Sequence, residues 1–272
     1  DAGCRMTEWD ELRNHLMRGG AYGHYWINHG NKKHTVWWEV GTPAPVPTKG
    51  NIYFGVHPVS EIPTLNSLGE PTPPQHVRSR IAIIAAVNCL FAEYDAKDFG
   101  GDKGAALDHI RGLNPLPSAV VDSGGGYHAY WLFDEPVTID SDYSRKLWQY
   151  YQAAWVDLMG GDDGAKDLAR VLRVPGTLNV KPAYAPDYPT VEILHLDPSH
   201  VFYAYDLADM VPAMPKPVVS NGHYNAPLNG QKGDGEHWLQ KYINQAGGRN
   251  QRGVYLATQL RDDGLTQSEA ER

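Results

Sequence analysis

Cysteine is nearly absent from this chain: only Cys4 and Cys89 occur in 272 residues. Far apart and without paired spacing, they supply neither a disulfide framework nor a cysteine zinc site. Long apolar runs are missing too. None approaches the roughly 18 residues of a membrane-spanning helix, and the N-terminus carries no charged-then-apolar signal sequence. A cytoplasmic location with no membrane partner is therefore expected. Net positive charge is also lacking, since 24 Lys and Arg face 32 Asp and Glu, a balance of −8. That argues against the broad basic surface of tight, non-specific nucleic-acid binding, so any such contact must be local or weak. Neither a phosphate-binding P-loop nor a dinucleotide GxGxxG pattern is present, which removes the main support for NTPase and dehydrogenase readings.

The chain does have a core. Hydrophobic residues make up 42%, with eight Trp and sixteen Tyr, enough for one large domain or a main domain with an appendage. Thr7 and Asp10 have capping-box spacing ahead of Trp9, Leu12, Leu16 and Met17, which predicts a first helix ending at Gly19-Gly20. Residues 22–28 and 34–40 alternate as two antiparallel strands around a polar turn. A third strand over 51–57 ends in His57, a candidate ligand or template contact, although a lone His is more often structural. The Pro-rich stretch 61–75 reads as a surface loop, closed by Arg78 and Arg80, which could steer a phosphate backbone.

The segment Asn88-Cys89-Leu90-Phe91-Ala92-Glu93-Tyr94-Asp95 reads as a buried strand. Alternation puts Glu93 and Asp95 on one face, with β-carbons about 6.5–7 Å apart. Two readings stand at this point: a pair that holds a divalent metal, or a strand end that simply reaches solvent. A crossover helix follows, with Ala106, Leu107, Ile110 and Leu113 at helical spacing and Asp108 and His109 turned outward. Ser118–Asp122 and Tyr127–Phe133 then form a hairpin around Ser123-Gly124-Gly125-Gly126, with His128 and Tyr130 on one face and Tyr127, Ala129, Trp131 and Phe133 on the other. Such a glycine turn could receive a triphosphate on its backbone N–H groups, or be an ordinary tight turn. Residues 139–159 predict an amphipathic helix that packs through Tyr143, Leu147, Tyr150, Tyr151, Ala154 and Leu158. The polar run 166–181 follows, where Asp167 and Arg170 would share one side of a helical turn and could form a local salt bridge.

In this order, the acidic pair, the Ser-Gly-Gly-Gly-x-His hairpin and the Asp-x-x-Arg-x-x-Arg-x-Pro-Gly-Thr-x-Asn-x-Lys run resemble the archaeo-eukaryotic primase superfamily, in particular the primase-polymerases of plasmids, phages and mobile elements. The resemblance spans about residues 20–200. It implies an α+β fold: an RRM-like catalytic core with mixed or antiparallel sheets flanked by helices, followed by the start of a small helical domain. It further implies that Glu93, Asp95 and Asp167 are the catalytic, metal-holding carboxylates, with Asp98 and Asp122 as substitutes. Ser123, His128, Arg173, Asn179 and Lys181 are the implied nucleotide-binding residues. The family usually has Asp where this chain has Glu93. Oxygen-only ligands suit Mg²⁺ or Mn²⁺, and two such ions could promote attack of a primer 3′ hydroxyl on an incoming NTP or dNTP.

The implied function is template-directed nucleotide addition by a DNA primase or polymerase acting on a single-stranded DNA template or primer-template. A metal-dependent nuclease and a non-catalytic, DNA-binding replication initiator are the alternatives. The expected organisation is a catalytic domain over 6–215, a linker over 216–235 and the beginning of a helical C-terminal domain over 236–272. A helicase region beyond it, or a helicase partner, is the expected companion.

Overall fold

The computed structural model describes residues 6–30, 32–66 and 68–214, so the expected linker and C-terminal helical domain lie outside the described residues. Among those described, no helix is long and apolar enough to cross a membrane. The chain opens with helix α1 (Glu8–Leu16), whose N-terminus carries the capping box expected of Thr7 and Asp10. Strands β1 (Tyr22–His29), β2 (Lys32–Glu39) and β3 (Asn51–Gly55) follow, with β7 (Val171–Arg173) returning much later to complete a first antiparallel sheet in the order β2-β1-β3-β7. Strands β4 (Ala86–Asp95), β5 (Ala119–Asp122), β6 (Gly126–Thr138) and β8 (Glu192–Leu196) build a second sheet in the order β4-β6-β5-β8. The described residues thus form an α+β fold with two four-stranded sheets.

Two-residue periodicity decides how these sheets stack. Tyr25, Ile27, Ile52, Phe54 and Leu172 of the first sheet share a core with Trp9, Leu12 and Leu16 of α1 and with Cys89, Phe91, Tyr130 and Leu132 of the second sheet. The alternate residues Leu90, Ala92, Tyr94, Tyr127, Ala129, Trp131 and Phe133 meet helices α2 (Lys103–Arg111), α3 (Asp142–Met159) and α4 (Ala204–Ala208) on the far side. The facing expected for β6 holds residue by residue. Helix α2 carries the chain from β4 to β5, two parallel strands separated by β6, and is a crossover as expected.

Two expectations about helix faces need correction. In α3 the buried residues are Trp148, Gln152, Trp155, Val156 and Met159, while Tyr143 and Leu158 are exposed. The indoles of Trp148 and Trp155 bring more apolar surface to the core, and burying them turns Tyr143 and Leu158 of the predicted face outward, while Tyr151 and Ala154 pack against the core as expected. His109 also turns inward. It packs on Tyr94 and Phe99 with ring centroids 5.3 and 5.5 Å away, and its Nε2 lies 3.0 Å from the Met159 carbonyl. His57 is buried against Phe91, which removes it from contact with a template.

β4 is an edge strand, and its unpaired backbone is covered in two places. The Gln152 amide accepts from Phe91 N and donates to Phe91 O, so the strand presents no bare edge there. One turn past α3, Asp162 N donates to Glu93 O at 2.8 Å. That second bond brings a distant acidic turn to the end of β4.

Candidate active site

The end of β4 delivers Glu93 and Asp95 to the same face of the second sheet, as alternation requires, opposite His128 and Gly126 of β6. A short 3-10 turn (Ala96–Phe99) then brings Asp98 back. With Asp162 held to the strand edge, one carboxylate oxygen each from Asp95, Asp98 and Asp162 lies within 4.8 Å of the others. The Lys97 ammonium sits between two of them, 2.9 Å from Asp95 Oδ2 and 3.0 Å from Asp162 Oδ2. The Asp162 carboxyl is held below the usual range chiefly by the Gly164 N–H and, against the cost of burial, by Lys97. Lys97 is held above its ordinary value by its bonds to Asp95 and Asp162. A cation is already drawn into this oxygen-only cluster, and its donor set fits Mg²⁺ or Mn²⁺.

Glu93 stands beside this cluster in a different setting. Its carboxylate is nearly enclosed and accepts from Arg170 Nε at 2.5 Å, with His128 Nε2 3.9 Å away on the other oxygen. Burial raises the Glu93 carboxyl above its ordinary value, and Arg170 opposes that rise. Arg170 belongs to the turn before β7, where its carbonyl accepts from Val56 N. The ion pair therefore ties the second sheet to the first. The local Asp167–Arg170 salt bridge expected from their spacing is replaced by this contact, because residues 166–170 form a turn, not a helix.

Asp167 lies outside the three-carboxylate cluster. Among the described residues its carboxylate makes no hydrogen bond or ion pair, although its backbone carbonyl accepts from Arg170 N. Asp122 is committed elsewhere, accepting from Lys103 Nζ at 2.6 Å and from Gly124 N at 2.7 Å.

The hairpin and the run after β7 close the other side. Ser123 Oγ donates to Gly126 O across the turn, and Ser123 O accepts from Asn179 Nδ2 at 2.9 Å. Ser123 and Asn179 therefore brace one another. Gly124 adopts φ +86°, and a β-carbon on Gly126 would fall 2.2 Å from the Tyr94 carbonyl oxygen, so these two glycines serve the hairpin itself. Buried His128 is pushed down to about 3 by desolvation first, then by Arg173, Arg170 and Lys181. It is a neutral imidazole in a positively charged surrounding. Its Nδ1 has no hydrogen-bond partner among the described residues. Arg173 donates to Asn51 Oδ1 at 2.9 Å and to Tyr53 OH at 3.1 Å, while Lys181 is exposed.

The structure thus brings Glu93, Asp95, His128 and Arg173 around one end of β4 and adds Asp98, Asp162, Lys97 and Arg170. Asp162 was the residue missed by sequence reading. Its only local signal is the Gly-Gly-Asp-Asp-Gly turn that ends α3, which resembles any helix stop.

A replication protein of Clostridium perfringens is 30% identical over 126 residues, 43% of this chain but only 29% of that protein, so the match spans under a third of the relative's length. Among solved structures, the AEP domain of the cyanophage S-2L primase-polymerase is similar with a TM-score of 0.48 and 24% identity, over 71% of this chain and 90% of that one. The primase RepB′ is similar with a TM-score of 0.37 and 10% identity, over 69% and 56%. The model of the RepB DNA-primase N-terminal domain family matches residues 75–216, a span that holds every carboxylate and cation of the site. With more than half of its residues matched, the chain belongs to the RepB DNA-primase N-terminal domain family.

Proposed function

We propose that this chain performs template-directed nucleotidyl transfer, as a DNA primase or primase-polymerase, at the end of β4. The observation that carries the reading is the convergence of Asp95, Asp98 and Asp162 within 4.8 Å of one another, with a lysine ammonium between Asp95 and Asp162, inside the segment matched to a primase family. Mg²⁺ or Mn²⁺ bound there would neutralise the α-phosphate and the leaving pyrophosphate and promote loss of the proton from an attacking 3′ hydroxyl. Asp95 and Asp162, assisted by Asp98, are the holding carboxylates, and Glu93 stands next to them. Asp162 replaces Asp167 as the third acid. No side chain needs to act as a nucleophile.

The chain's remaining residues bind and orient. Neutral His128 keeps a ring N–H as donor to a phosphate oxygen without adding charge beside Glu93. Lys181 is an exposed cation for the triphosphate, and Arg173 suits bidentate phosphate contact. Ser123 and Asn179 hold the hairpin that presents His128. NTP or dNTP and a single-stranded DNA template are the proposed substrates.

The test is incubation with single-stranded template, labelled nucleotides and Mg²⁺ or Mn²⁺, with and without primer. Wild type should extend the primer. Asp162→Asn should weaken Mn²⁺ binding by roughly tenfold or more, from loss of one unit charge at about 4 Å, and remove extension, while Asp167→Asn retains both. A double variant Asp95→Asn/Asp162→Asn that extends at the wild-type rate sinks the reading. Shortening of a labelled strand without nucleotide addition would instead support a metal-dependent nuclease.

A further inference from the structure

The face of the first sheet that turns away from the core has an unusual composition. While Tyr25, Ile27, Ile52 and Phe54 fill the inner face, strand register aligns Thr35, Trp26, Tyr53 and Arg173 in one row across all four strands. The next row aligns Lys33, Asn28 and Asn51. Trp26, Tyr53, Asn28 and Asn51 are half-buried, and Lys33 and Arg78 are exposed. The Arg78 guanidinium lies 5.9 Å from the Trp26 ring centroid and that of Arg173 4.8 Å from Tyr53.

A cross-strand aromatic pair alone would be ordinary sheet stabilisation. Two further features go beyond that role. Each ring carries its own arginine, and the adjoining row offers the Asn28 amide and the Asn51 Nδ2, whose Oδ1 is held by Arg173, to hydrogen-bond base edges. Neither row contains a carboxylate, although the chain as a whole carries −8. Charge on this face is locally reversed. The face also leads toward the carboxylates, since β7, which brings Arg173 beside Tyr53, follows directly on the turn whose Arg170 bonds Glu93.

We propose that this outer face is a platform for single-stranded nucleic acid, with successive bases stacked on Trp26 and Tyr53, phosphates on Arg78 and Lys33, and base edges against Asn28 and Asn51. Stacking requires exposed base faces, which a duplex does not offer, so the occupant is an unpaired strand. That strand is the template only if the nucleotidyl-transfer reading holds; the surface itself does not depend on it.

The test is fluorescence anisotropy of the full chain with a labelled single-stranded oligothymidylate, without metal or nucleotide. Trp26→Ala should weaken Kd roughly 5- to 100-fold, the worth of one stacked base. Arg78→Glu, at an exposed site with little bearing on folding, should weaken it about tenfold at low salt and progressively less as salt rises. Asp95→Asn/Asp162→Asn should bind the strand as wild type does. Wild-type affinity, within twofold, in both Trp26→Ala and Arg78→Glu would overturn the assignment, as would tighter binding of a duplex of the same length. If wild type binds the strand but adds no nucleotide, the catalytic reading fails and the surface stands. If it adds nucleotides while both face variants bind normally, the reverse holds.

Discussion

Replacing Arg170 by leucine tests the link between the two sheets most directly. The guanidinium reaches Glu93 across 77 residues of sequence, and the two side chains are 31% and 15% exposed. Removing one partner of a fully buried pair costs about 3–5 kcal/mol, because the other charge is left without compensation. Residual exposure at Arg170 lets water take up part of that load, so the expected cost is roughly 2–3 kcal/mol. For a domain of this size the melting temperature should fall by about 5–10 °C. The deficit should depend on pH with a defined sign. Burial already raises the Glu93 carboxyl, and Arg170 is the leading influence that lowers it, so the variant's folded state should hold the Glu93 proton still more tightly. A carboxyl raised on folding penalises stability fully above its folded pKa and loses that penalty as pH falls toward its unfolded value. The gap between wild type and Arg170→Leu should therefore be widest near pH 8 and narrow on acidification. Differential scanning fluorimetry across pH measures it, and Glu93→Gln in the Arg170→Leu background should recover most of the loss. A melting temperature within about 1 °C of wild type at pH 8, or no recovery in the double variant, would refute the argument.

Lys97→Met removes the ammonium that competes for Asp95 and Asp162, so Mn²⁺ titration should show several-fold tighter binding; weaker binding would mean that Lys97 helps to build the site. Gly126→Ala would place a β-carbon 2.2 Å from Tyr94 O and 2.8 Å from Asp95 Cα, and the resulting overpacking should cost roughly 1–3 kcal/mol or more in urea unfolding, with extension lost as Asp95 is displaced. His24 and His57 are each pushed down to about 3 by burial. Unfolding exposes them to protons, so stability should be fully present above about pH 6.5 and fall below it by about 1.4 kcal/mol per pH unit for each histidine until the folded value is approached. Unfolding at pH 7, 6 and 5 in wild type and in His57→Phe should show a shallower acid loss in the variant.

Much was legible because it depends on neighbours in sequence. The Thr7–Asp10 cap, the hairpin around Ser123-Gly124-Gly125-Gly126 and the shared face of Glu93 and Asp95 follow from period-two and capping rules that operate over a few residues. The α3 face was read only in part, with Tyr151 and Ala154 packing as expected but Tyr143 and Leu158 exposed, because aromatics recur on both sides of that helix and only the depth of the core decides which side is buried.

By itself, the sequence determined the alternation that separates core from site, the absence of any cysteine framework, and an order of motifs that matches one family. Tertiary structure alone decided which acid joins Asp95 and which cation meets Glu93. Asp162 and Asp167 are chemically alike and five positions apart, and nothing local distinguishes them. A single backbone bond from Asp162 N to the free edge of β4 brings the first to the cluster, while the turn at 166–170 sends Arg170, not Asp167, toward the strand. Strand edges and long-range ion pairs are made between distant segments, so their partners are selected by packing of the whole domain.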